Sequence, residues 1–238
     1  MLEEYRGQQI NQRSMLDEAN IRSDVLVSGR VVELLGDVNE LSVLELGSGN
    51  GKVARMLAQR GAHVTGVDLI QEQVDIASAN SPRGIAYVQA DYAEVKLPEL
   101  LQGAKFDRVI AVMAFFYSGS DKIAQALVNV KKLLKPDGVF ILGTASPYRG
   151  LKKDGFDYFQ EQESDAVLPS MTNEPFKTRY VHLPLQDLLT QCLAHGFVLS
   201  RLIEPHATAE ELQRYPQILS EEDLLRPDYL ILEFKAPK

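Results

Sequence analysis

The sequence predicts a doubly wound α/β protein, in which helices cover both faces of a mostly parallel sheet. Strand and helix patterns alternate between residues 41 and 145. The apolar run 109–113 does not alternate with polar residues, which is typical of a central strand buried on both faces. A glycine-rich turn at residues 47–51 lies directly between one predicted strand and one predicted helix, as in nucleotide-binding sheets.

Composition narrows the classes of function. The 238 residues are enough for one α/β domain with a full core. The net charge of −8 argues against a dedicated nucleic-acid-binding surface, which would be basic. The lone Cys192 fits a reducing compartment, and we see neither a signal-peptide pattern nor an apolar run long enough for a bilayer. We therefore expect a cytoplasmic monomer or homodimer that binds neither nucleic acid nor membrane.

Periodicity and turn residues place the elements in order. A first helix begins at Ser23 or Asp24 and ends at Gly36. Another begins after Pro184 and ends at Gly196. The predicted strands cover 42–46, 63–67, 85–90, 106–113, 138–144, 197–203 and 229–234. The other predicted helices cover 51–60, 70–80, 120–134 and 208–214.

The glycine turn Glu45-Leu46-Gly47-Ser48-Gly49-Asn50-Gly51 organises the chain. Glycine allows positive φ and removes the Cβ where a ligand approaches the backbone, although a tight turn alone would also use it. The helix that follows presents N–H groups and a positive dipole end to a nucleotide ligand. Lys52 occupies the position of the third glycine in a dinucleotide-binding G-x-G-x-x-G fingerprint. The spacing in this chain is G-x-G-x-G instead.

Two acidic residues follow the next two strands. Asp68 lies about 20 residues beyond the first glycine, where a carboxylate can accept hydrogen bonds from both hydroxyls of a ribose. Asp91 follows the third strand and precedes Tyr92. Because strands of a parallel sheet end at one edge, these acids and the glycine turn are expected at the same edge.

In order and at this spacing, the glycine turn, Val67-Asp68, Ala90-Asp91-Tyr92 and Leu134-Lys135-Pro136-Asp137-Gly138 resemble the motifs of class I S-adenosylmethionine (SAM) dependent methyltransferases. The resemblance covers roughly residues 20 to 145 and is looser beyond. It implies a Rossmann-like sheet of about seven strands, completed by an antiparallel C-terminal hairpin. It also implies SAM as cofactor and S-adenosyl-L-homocysteine as product.

The resemblance divides a single methyltransferase domain, 1–238, into four parts. They are N-terminal cap helices at 1–36, a SAM-binding core at 37–145, an acceptor lid at 146–183, and a C-terminal helix and hairpin at 184–238. The N-terminal part is expected to fold over the ligand cleft. Its candidates for contact with SAM or acceptor are Tyr5, Arg13, Asn20 and Arg22.

The resemblance also assigns cofactor contacts. Glu45 engages the ammonium of the amino-acid tail, and Asp68 engages the ribose hydroxyls. Leu69 contacts the adenine, Asp91 accepts from its amino group, and Tyr92 lies beside its ring. A locally satisfied carboxylate is the alternative for Glu45, and a turn-initiating one for Asp91. The full set of expected contacts is Glu45, Gly47, Ser48, Gly49, Gly51, Asp68, Leu69, Asp91, Tyr92 and Met113.

The acceptor side is predicted from residues 146–178, which are polar but carry large apolar side chains such as Phe156 and Phe159. This mixture favours a flap over a pocket, with a long disordered loop as the alternative. His182, Tyr117 and Tyr148 are the catalytic candidates, and His182 is the candidate general base. No acidic cluster suggests a metal site.

The predicted function is transfer of a methyl group to an oxygen or nitrogen atom of a small, apolar or aromatic metabolite. Methyltransferases of planar amino groups have an Asn/Asp-Pro-Pro-Tyr/Phe box after the fourth strand, and this chain has Ala114-Phe115-Phe116-Tyr117 there instead. The aromatic character of this run favours an apolar or aromatic acceptor. One alternative is a SAM- or nucleotide-binding regulatory module without transferase activity. Another is an NAD-dependent oxidoreductase, which Lys52 disfavours.

Overall fold

The computed structural model describes residues 22–152, 154–168 and 176–236. Its strands, in chain order, are β1 Ser42–Leu46, β2 His63–Asp68, β3 Ala86–Gln89, β4 Phe106–Val112, β5 Leu134–Ala145, β6 Gln162–Leu168, β7 Phe176–His182, β8 Val198–Ile203 and β9 Tyr229–Lys235. Tyr5, Arg13 and Asn20 lie outside the described residues, as does most of the predicted N-terminal cap.

Seven of these strands form one sheet in the order β3-β2-β1-β4-β5-β9-β8. Strands β1 to β5 run parallel to one another, whereas β9 pairs antiparallel with both β5 and β8. The predicted fold class is therefore confirmed, including the antiparallel C-terminal strands. The order reverses direction between β1 and β4, which is where ligands bind in open α/β sheets.

Helices cover both faces of this sheet. The first, α1, begins as a π-helical stretch, Asp24–Ser28, and continues as the α-helix Gly29–Leu34. The others are α2 Lys52–Ala58, α3 Gln71–Asn80, α4 Leu97–Leu100, α5 Ser120–Leu133, α6 Leu185–Ala194 and α7 Ala209–Arg214. Short 3-10 helices occupy Phe115–Tyr117, Pro147–Lys152 and Glu221–Leu224. The four-residue α4 and the 3-10 turns escaped the sequence prediction because they are too short to show a period.

Alternation along the strands produces two cores. Leu44 and Leu46 of β1 pack into one core with α5 and α6, while Val43 packs into the other with α1 and α2. Helix α1 lies close to the sheet at Gly143 of β5, where a Cβ would stand 2.6 Å from Val27 Cγ1. By the same alternation, Glu45 points to the α1–α2 side, beneath the amino end of α2.

The inserted segment holds a two-stranded sheet that the sequence analysis did not predict. Strands β6 and β7 pair antiparallel from Gln162↔His182 to Leu168↔Phe176. The first half of β6, Gln162-Glu163-Ser164-Asp165, is polar on both faces, so it lacks the apolar alternation by which strands are recognised. Residues 169–175 of the predicted lid lie outside the described residues.

Two further sequence expectations can be compared with the structure. Cys192 is fully buried in the core between α6 and the sheet, and burial raises the pKa of its thiol to about 12. It is therefore a core residue. Within the described ranges, we find no helix of the length and apolarity needed to cross a membrane.

Candidate cofactor and acceptor site

The glycine turn joins the carboxyl end of β1 to α2. Gly47, Gly49 and Gly51 all have positive φ, at 72°, 51° and 78°. The N–H groups of Gly47 and Ser48 both donate to the carbonyl of Val67 at the end of β2, at 2.7 and 3.0 Å, which fixes the turn against the neighbouring strand. A Cβ at Gly47 would collide with Ala114, whereas one at Gly49 would meet nothing within 4 Å. The backbone at Gly49 therefore faces open space.

Glu45 is buried, with 2 % of its surface exposed, at the end of β1. Burial raises the pKa of its carboxyl to about 8, against a backbone hydrogen bond from Ala54 and the charge of Arg55, which both lower it. Its Oε2 has no hydrogen-bond partner. An unpaired buried carboxylate oxygen is costly unless a cation or donor reaches it, so this atom is a candidate ligand contact.

Asp68 holds the other side of the turn. Its Oδ2 accepts from the Gly49 N–H at 2.7 Å, and its Oδ1 accepts from the Ile70 N–H at 2.9 Å. Burial is the largest influence on its pKa, which is raised in spite of these hydrogen bonds. Each carboxylate oxygen keeps a further lone pair for a ligand hydroxyl. Leu69 follows, half-buried, with its carbonyl accepting from Gln89 Nε2 at 3.0 Å.

Ser48 adds a second unpaired group in the same turn. It is buried, and its Oγ has no hydrogen-bond partner. Glu45 Oε2 and Ser48 Oγ are therefore two buried polar atoms without hydrogen-bond partners in the segment that leads into Gly49. Such a set suits a ligand that carries a cation, hydroxyls and an amino-acid tail.

Asp91 and Tyr92 differ from the other predicted contacts. Asp91 Oδ2 forms an ion pair with Lys122 of α5 at 2.7 Å, and its Oδ1 accepts from the Ala93 N–H at 2.9 Å. The Tyr92 ring lies in the core, stacked on Phe115 at 5.3 Å between centroids. Its hydroxyl bonds to Ser118 and burial raises its pKa to about 12. The sequence could not show that this ring packs inward against Phe115 and Ser118, and its place beside an adenine stays a prediction.

Met113 marks the end of β4 with an unusual backbone. Its φ is +54°, and its N–H donates to the Gly143 carbonyl at 2.7 Å. Non-glycine residues at positive φ cluster at functional sites because the surrounding structure must hold them there. This residue packs against both the α1–α2 core and a small aromatic cluster that includes Phe116 and Tyr180.

A cavity opens next to that aromatic cluster, at the carboxyl ends of β4 and β5. It is small, about 30 Å³, which is room for one or two water molecules. Phe116 and Tyr180, which both line it, stack in parallel on each other with ring centroids 4.7 Å apart. Its lining consists of Phe115, Phe116, Ser118, Ile123, Thr144, Ala145, Ser146, Pro147, Tyr180, Val181, His182, Leu183 and Leu188.

His182 lines this cavity and is 3 % exposed. Its Nε2 lies 2.8 Å from the carbonyl oxygen of Tyr158. A carbonyl can only accept, so Nε2 carries a proton, and Nδ1 is the nitrogen left to accept one in the neutral ring. The rings of Phe156 and Tyr158 pack against the imidazole, with centroids 4.6 and 5.4 Å from its centroid, and fix its orientation.

The two tyrosine candidates lie apart from this lining. Tyr117 is half-buried and packs edge-on against Phe116 at 5.2 Å. Tyr148 is 41 % exposed and stacks on Tyr158 at 5.6 Å. Sequence reasoning singled out neither Tyr180, which lies two residues before His182, nor Arg149, for which no local pattern pointed to the site. Among the described residues, no group of three or more acidic, His or Cys side chains is placed to hold a metal ion.

Comparison with known proteins agrees with this architecture. Residues 44–142 match the family model described as a methyltransferase domain. A ubiquinone biosynthesis O-methyltransferase of Rickettsia canadensis is 26 % identical over 124 residues, which are 52 % of this chain and 50 % of that protein. The homologue from Rickettsia conorii is 28 % identical over 112 residues, 47 % of this chain and 37 % of that protein. The chain therefore matches half or less of the length of these relatives.

Solved structures share the fold over a longer range. A SAM-dependent methyltransferase from Mesorhizobium loti superposes with a TM-score of 0.68 and 21 % identity, covering 90 % of this chain and 99 % of that one. Magnesium protoporphyrin IX methyltransferase from Synechocystis, solved with bound S-adenosylhomocysteine, gives a TM-score of 0.59 at 18 % identity and covers 90 % and 83 %. The chain therefore resembles a methyltransferase domain over residues 44–142, and its sheet has the fold of these solved SAM-dependent methyltransferases.

Proposed function

We propose that this protein transfers a methyl group from SAM to an oxygen or nitrogen atom of a small apolar or aromatic metabolite. The observation that carries the proposal is the unpaired Oε2 of buried Glu45, at the end of β1 and four residues before Gly49, whose backbone faces open space. The ammonium of an amino-acid tail would satisfy this oxygen. A nicotinamide dinucleotide has no such ammonium, so the same atom disfavours the oxidoreductase alternative.

The described residues fit the cofactor in three places. Glu45 would hold the ammonium, Asp68 would hold the ribose hydroxyls, and Ser48 with the glycine turn would lie along the tail. When bound, SAM supplies an electrophilic methyl group on a sulfonium. Asp68 also has a structural role, because its Oδ2 accepts from the Gly49 N–H and so holds the glycine turn in place.

The acceptor would bind between β4, β5 and the β6–β7 hairpin. Its aromatic wall, Phe116 and Tyr180, can orient a flat ring, and orientation is the main contribution that a protein makes to a displacement of this kind. His182 Nδ1 is the group that would take the acceptor proton, because Nε2 is held by the Tyr158 carbonyl. The names of the curated relatives favour an oxygen as the methylated atom.

Calorimetry tests the cofactor first. S-adenosylhomocysteine is expected to bind with micromolar affinity or better, roughly −8 kcal/mol, and NAD to bind not at all. The variant Asp68→Ala should weaken that binding by about 1.5–3 kcal/mol, since it removes charge-assisted hydrogen bonds. Tight NAD binding without S-adenosylhomocysteine binding would refute the proposal.

A second measurement separates the transferase from a regulatory module. Methyl-labelled SAM is incubated with the protein and a fractionated metabolite extract, and products are identified by mass. Transfer to a small molecule is expected, and the same reaction with His182→Gln should be strongly slowed. Firm cofactor binding without transfer to any fraction would favour the regulatory module.

A further inference from the structure

A group of polar side chains at the start of β9 lies next to the acceptor cavity and is not used by the mechanism above. Tyr229, the first residue of β9, pairs with Ala145, the last residue of β5, and Ala145 lines the cavity. Arg149 lies in the 3-10 helix that begins at Pro147, another lining residue. The group is therefore at the carboxyl edge of the sheet, where class I substrates approach.

Two hydrogen-bond donors in this group lack partners. The Tyr229 side chain is fully buried, and its hydroxyl has no hydrogen-bond partner. The Arg149 guanidinium lies over the Tyr229 ring at 5.7 Å from the centroid, and its Nη1 is buried and also unpartnered. Buried donors in native proteins are nearly always satisfied, so unpartnered donors on two side chains that stack on each other indicate a missing acceptor.

Nearby carboxylates do not fill that role. Asp223 and Asp228 both bind Arg22, the latter at 2.8 Å. Among the described residues, neither forms an ion pair with Arg149. Arg22 and its two partners together carry one negative charge, which would repel a phosphate dianion more strongly than a singly charged group. A planar carboxylate suits both the charge and the fork of a guanidinium.

We infer that Arg149 and Tyr229 form a recognition site for a carboxylate carried by the methyl acceptor. The inference rests on the proposed function and narrows it, because the acceptor becomes an aromatic acid. Its ring would lie along Phe116 and Tyr180, and its carboxylate would accept from Arg149 Nη1 and the Tyr229 hydroxyl. These two residues would then determine specificity, while His182 acts on the methylated atom.

The test compares matched acids and amides as ligands of the full-length protein. Benzoate and benzamide, 4-hydroxybenzoate and 4-hydroxybenzamide, and indole-3-acetate and indole-3-acetamide are titrated with and without S-adenosylhomocysteine. The acid of at least one pair is expected to bind wild-type protein about tenfold more tightly than its amide, since a charge-assisted hydrogen bond contributes at least that much. Equal affinity within every pair overturns the inference.

Two variants locate the preference. Arg149→Gln should bring the acid-to-amide ratio close to one, and Tyr229→Phe should lower it a few-fold. The control is Arg214→Gln, because Arg214 also lies over a tyrosine ring, that of Tyr215 at 5.4 Å, but belongs to α7. A preference that survives Arg149→Gln, or that is lost equally in Arg214→Gln, overturns the inference.

The same titrations separate this inference from the proposed function. S-adenosylhomocysteine should bind Arg149→Gln as tightly as it binds wild type, because Arg149 lies in the 3-10 helix after β5 and is not among the residues proposed to hold the cofactor. Failure of S-adenosylhomocysteine to bind any of these proteins would refute the methyltransferase proposal, whereas normal binding with no acid preference would refute only the carboxylate site. Arg149 is only half-buried, so its variant is expected to fold, and thermal unfolding checks this.

Discussion

The cofactor side and the acceptor side of this edge are built by different means. On the proposed cofactor side, hydrogen bonds from backbone N–H groups hold the structure. The Gly49 N–H donates to the Asp68 carboxylate, and the N–H groups of Gly47 and Ser48 donate to the Val67 carbonyl. On the acceptor side, side chains from distant segments meet, as when Phe116 stacks on Tyr180. A site made of backbone tolerates few changes in the glycines, whereas one made of side chains can be altered residue by residue to suit another acceptor.

The two sides also differ in the groups that they leave unsatisfied. Glu45 Oε2 is a carboxyl oxygen and Ser48 Oγ is a hydroxyl, and neither has a hydrogen-bond partner. Both suit a ligand with a cationic tail. Tyr229 and Arg149 leave donors unpaired, suited to an anion. Each side therefore carries the electrostatic complement of a different ligand, and variants should affect one side without the other.

The largest effect is expected for His182. Replacing it with Ala should lower turnover by about 10²–10⁴-fold if it is the general base. His182→Gln is the informative partner, because its amide N–H can still donate to the Tyr158 carbonyl while no base remains at the position of Nδ1. Equal loss of turnover in both variants supports a base, with S-adenosylhomocysteine affinity unchanged in calorimetry. Recovery of most activity in the Gln variant would show that His182 only shapes the cavity.

Glu45 should link folding to pH on the cofactor side. Its pKa is about 8 in the folded protein against an ordinary value near 4.5. The folded state therefore holds the proton more tightly, and stability from this group is lost as pH rises from about 4.5 to 8, by roughly 3–5 kcal/mol in all. Glu45→Gln removes this loss, so its melting temperature should exceed that of wild type at pH 8 and approach it at pH 5.

The same variant should change cofactor binding in the opposite sense. An ammonium needs the ionised carboxylate, so wild-type affinity for S-adenosylhomocysteine should rise between pH 5.5 and 7.5, by up to about tenfold per pH unit. Glu45→Gln should bind weakly and with little pH dependence. Calorimetry at several pH values measures both, and a flat wild-type profile would contradict the assignment of Glu45 to the ammonium.

Two neighbouring glycines separate folding from ligand approach. Gly47→Ala should cost roughly 2–4 kcal/mol of stability, because its Cβ would collide with Ala114 and its φ is positive. Gly49→Ala pays only the backbone penalty of about 1–2 kcal/mol, since its Cβ meets nothing within 4 Å. It should nevertheless weaken S-adenosylhomocysteine binding roughly tenfold or more. Urea unfolding and calorimetry on both variants check the contrast, which intact binding by Gly49→Ala would contradict.

Local sequence predicted the glycine turn and its place at the strand ends because these parts are close in the chain. The glycine turn, the strand ends and Asp68 lie within one β-α-β unit, and Gly49 and Asp68 are only 19 positions apart. Tyr92 shows the limit, because the direction of its ring depends on Phe115 and Ser118 in another segment. Neither partner is visible from the motif Ala90-Asp91-Tyr92.

The acceptor side was harder to predict for the same reason. The sequence indicated His182, but its orientation depends on the Tyr158 carbonyl 24 positions away. The β6–β7 pairing was missed because Gln162 to Asp165 are polar on both faces. Arg149 carried no signal at all, since its importance comes from contact with Tyr229 at the far end of the chain.

The smallest expected effect concerns the link between the inserted hairpin and the core. Glu161, just before β6, accepts from the Ser120 N–H at 3.2 Å and from the Ser120 hydroxyl, at the amino end of α5. Glu161→Gln keeps the shape but removes the charge that favours a helix amino end, so stability should fall by about 0.3–1 kcal/mol. Because the hairpin carries His182, the KM for the acceptor should rise a few-fold while S-adenosylhomocysteine affinity stays constant.

The matched control for this link is Glu163→Gln. Glu163 lies two residues further along, on β6 itself, and is 3.8 Å from Arg179 in an exposed pair that contributes little. The Glu163→Gln variant should leave the KM for SAM, the KM for the acceptor and the melting temperature unchanged. If Glu161→Gln behaves identically to this control, the hairpin is held by the Phe116–Tyr180 stack alone. If it weakens S-adenosylhomocysteine binding instead, the hairpin covers the cofactor as well, and the division between the two sides of the edge is wrong.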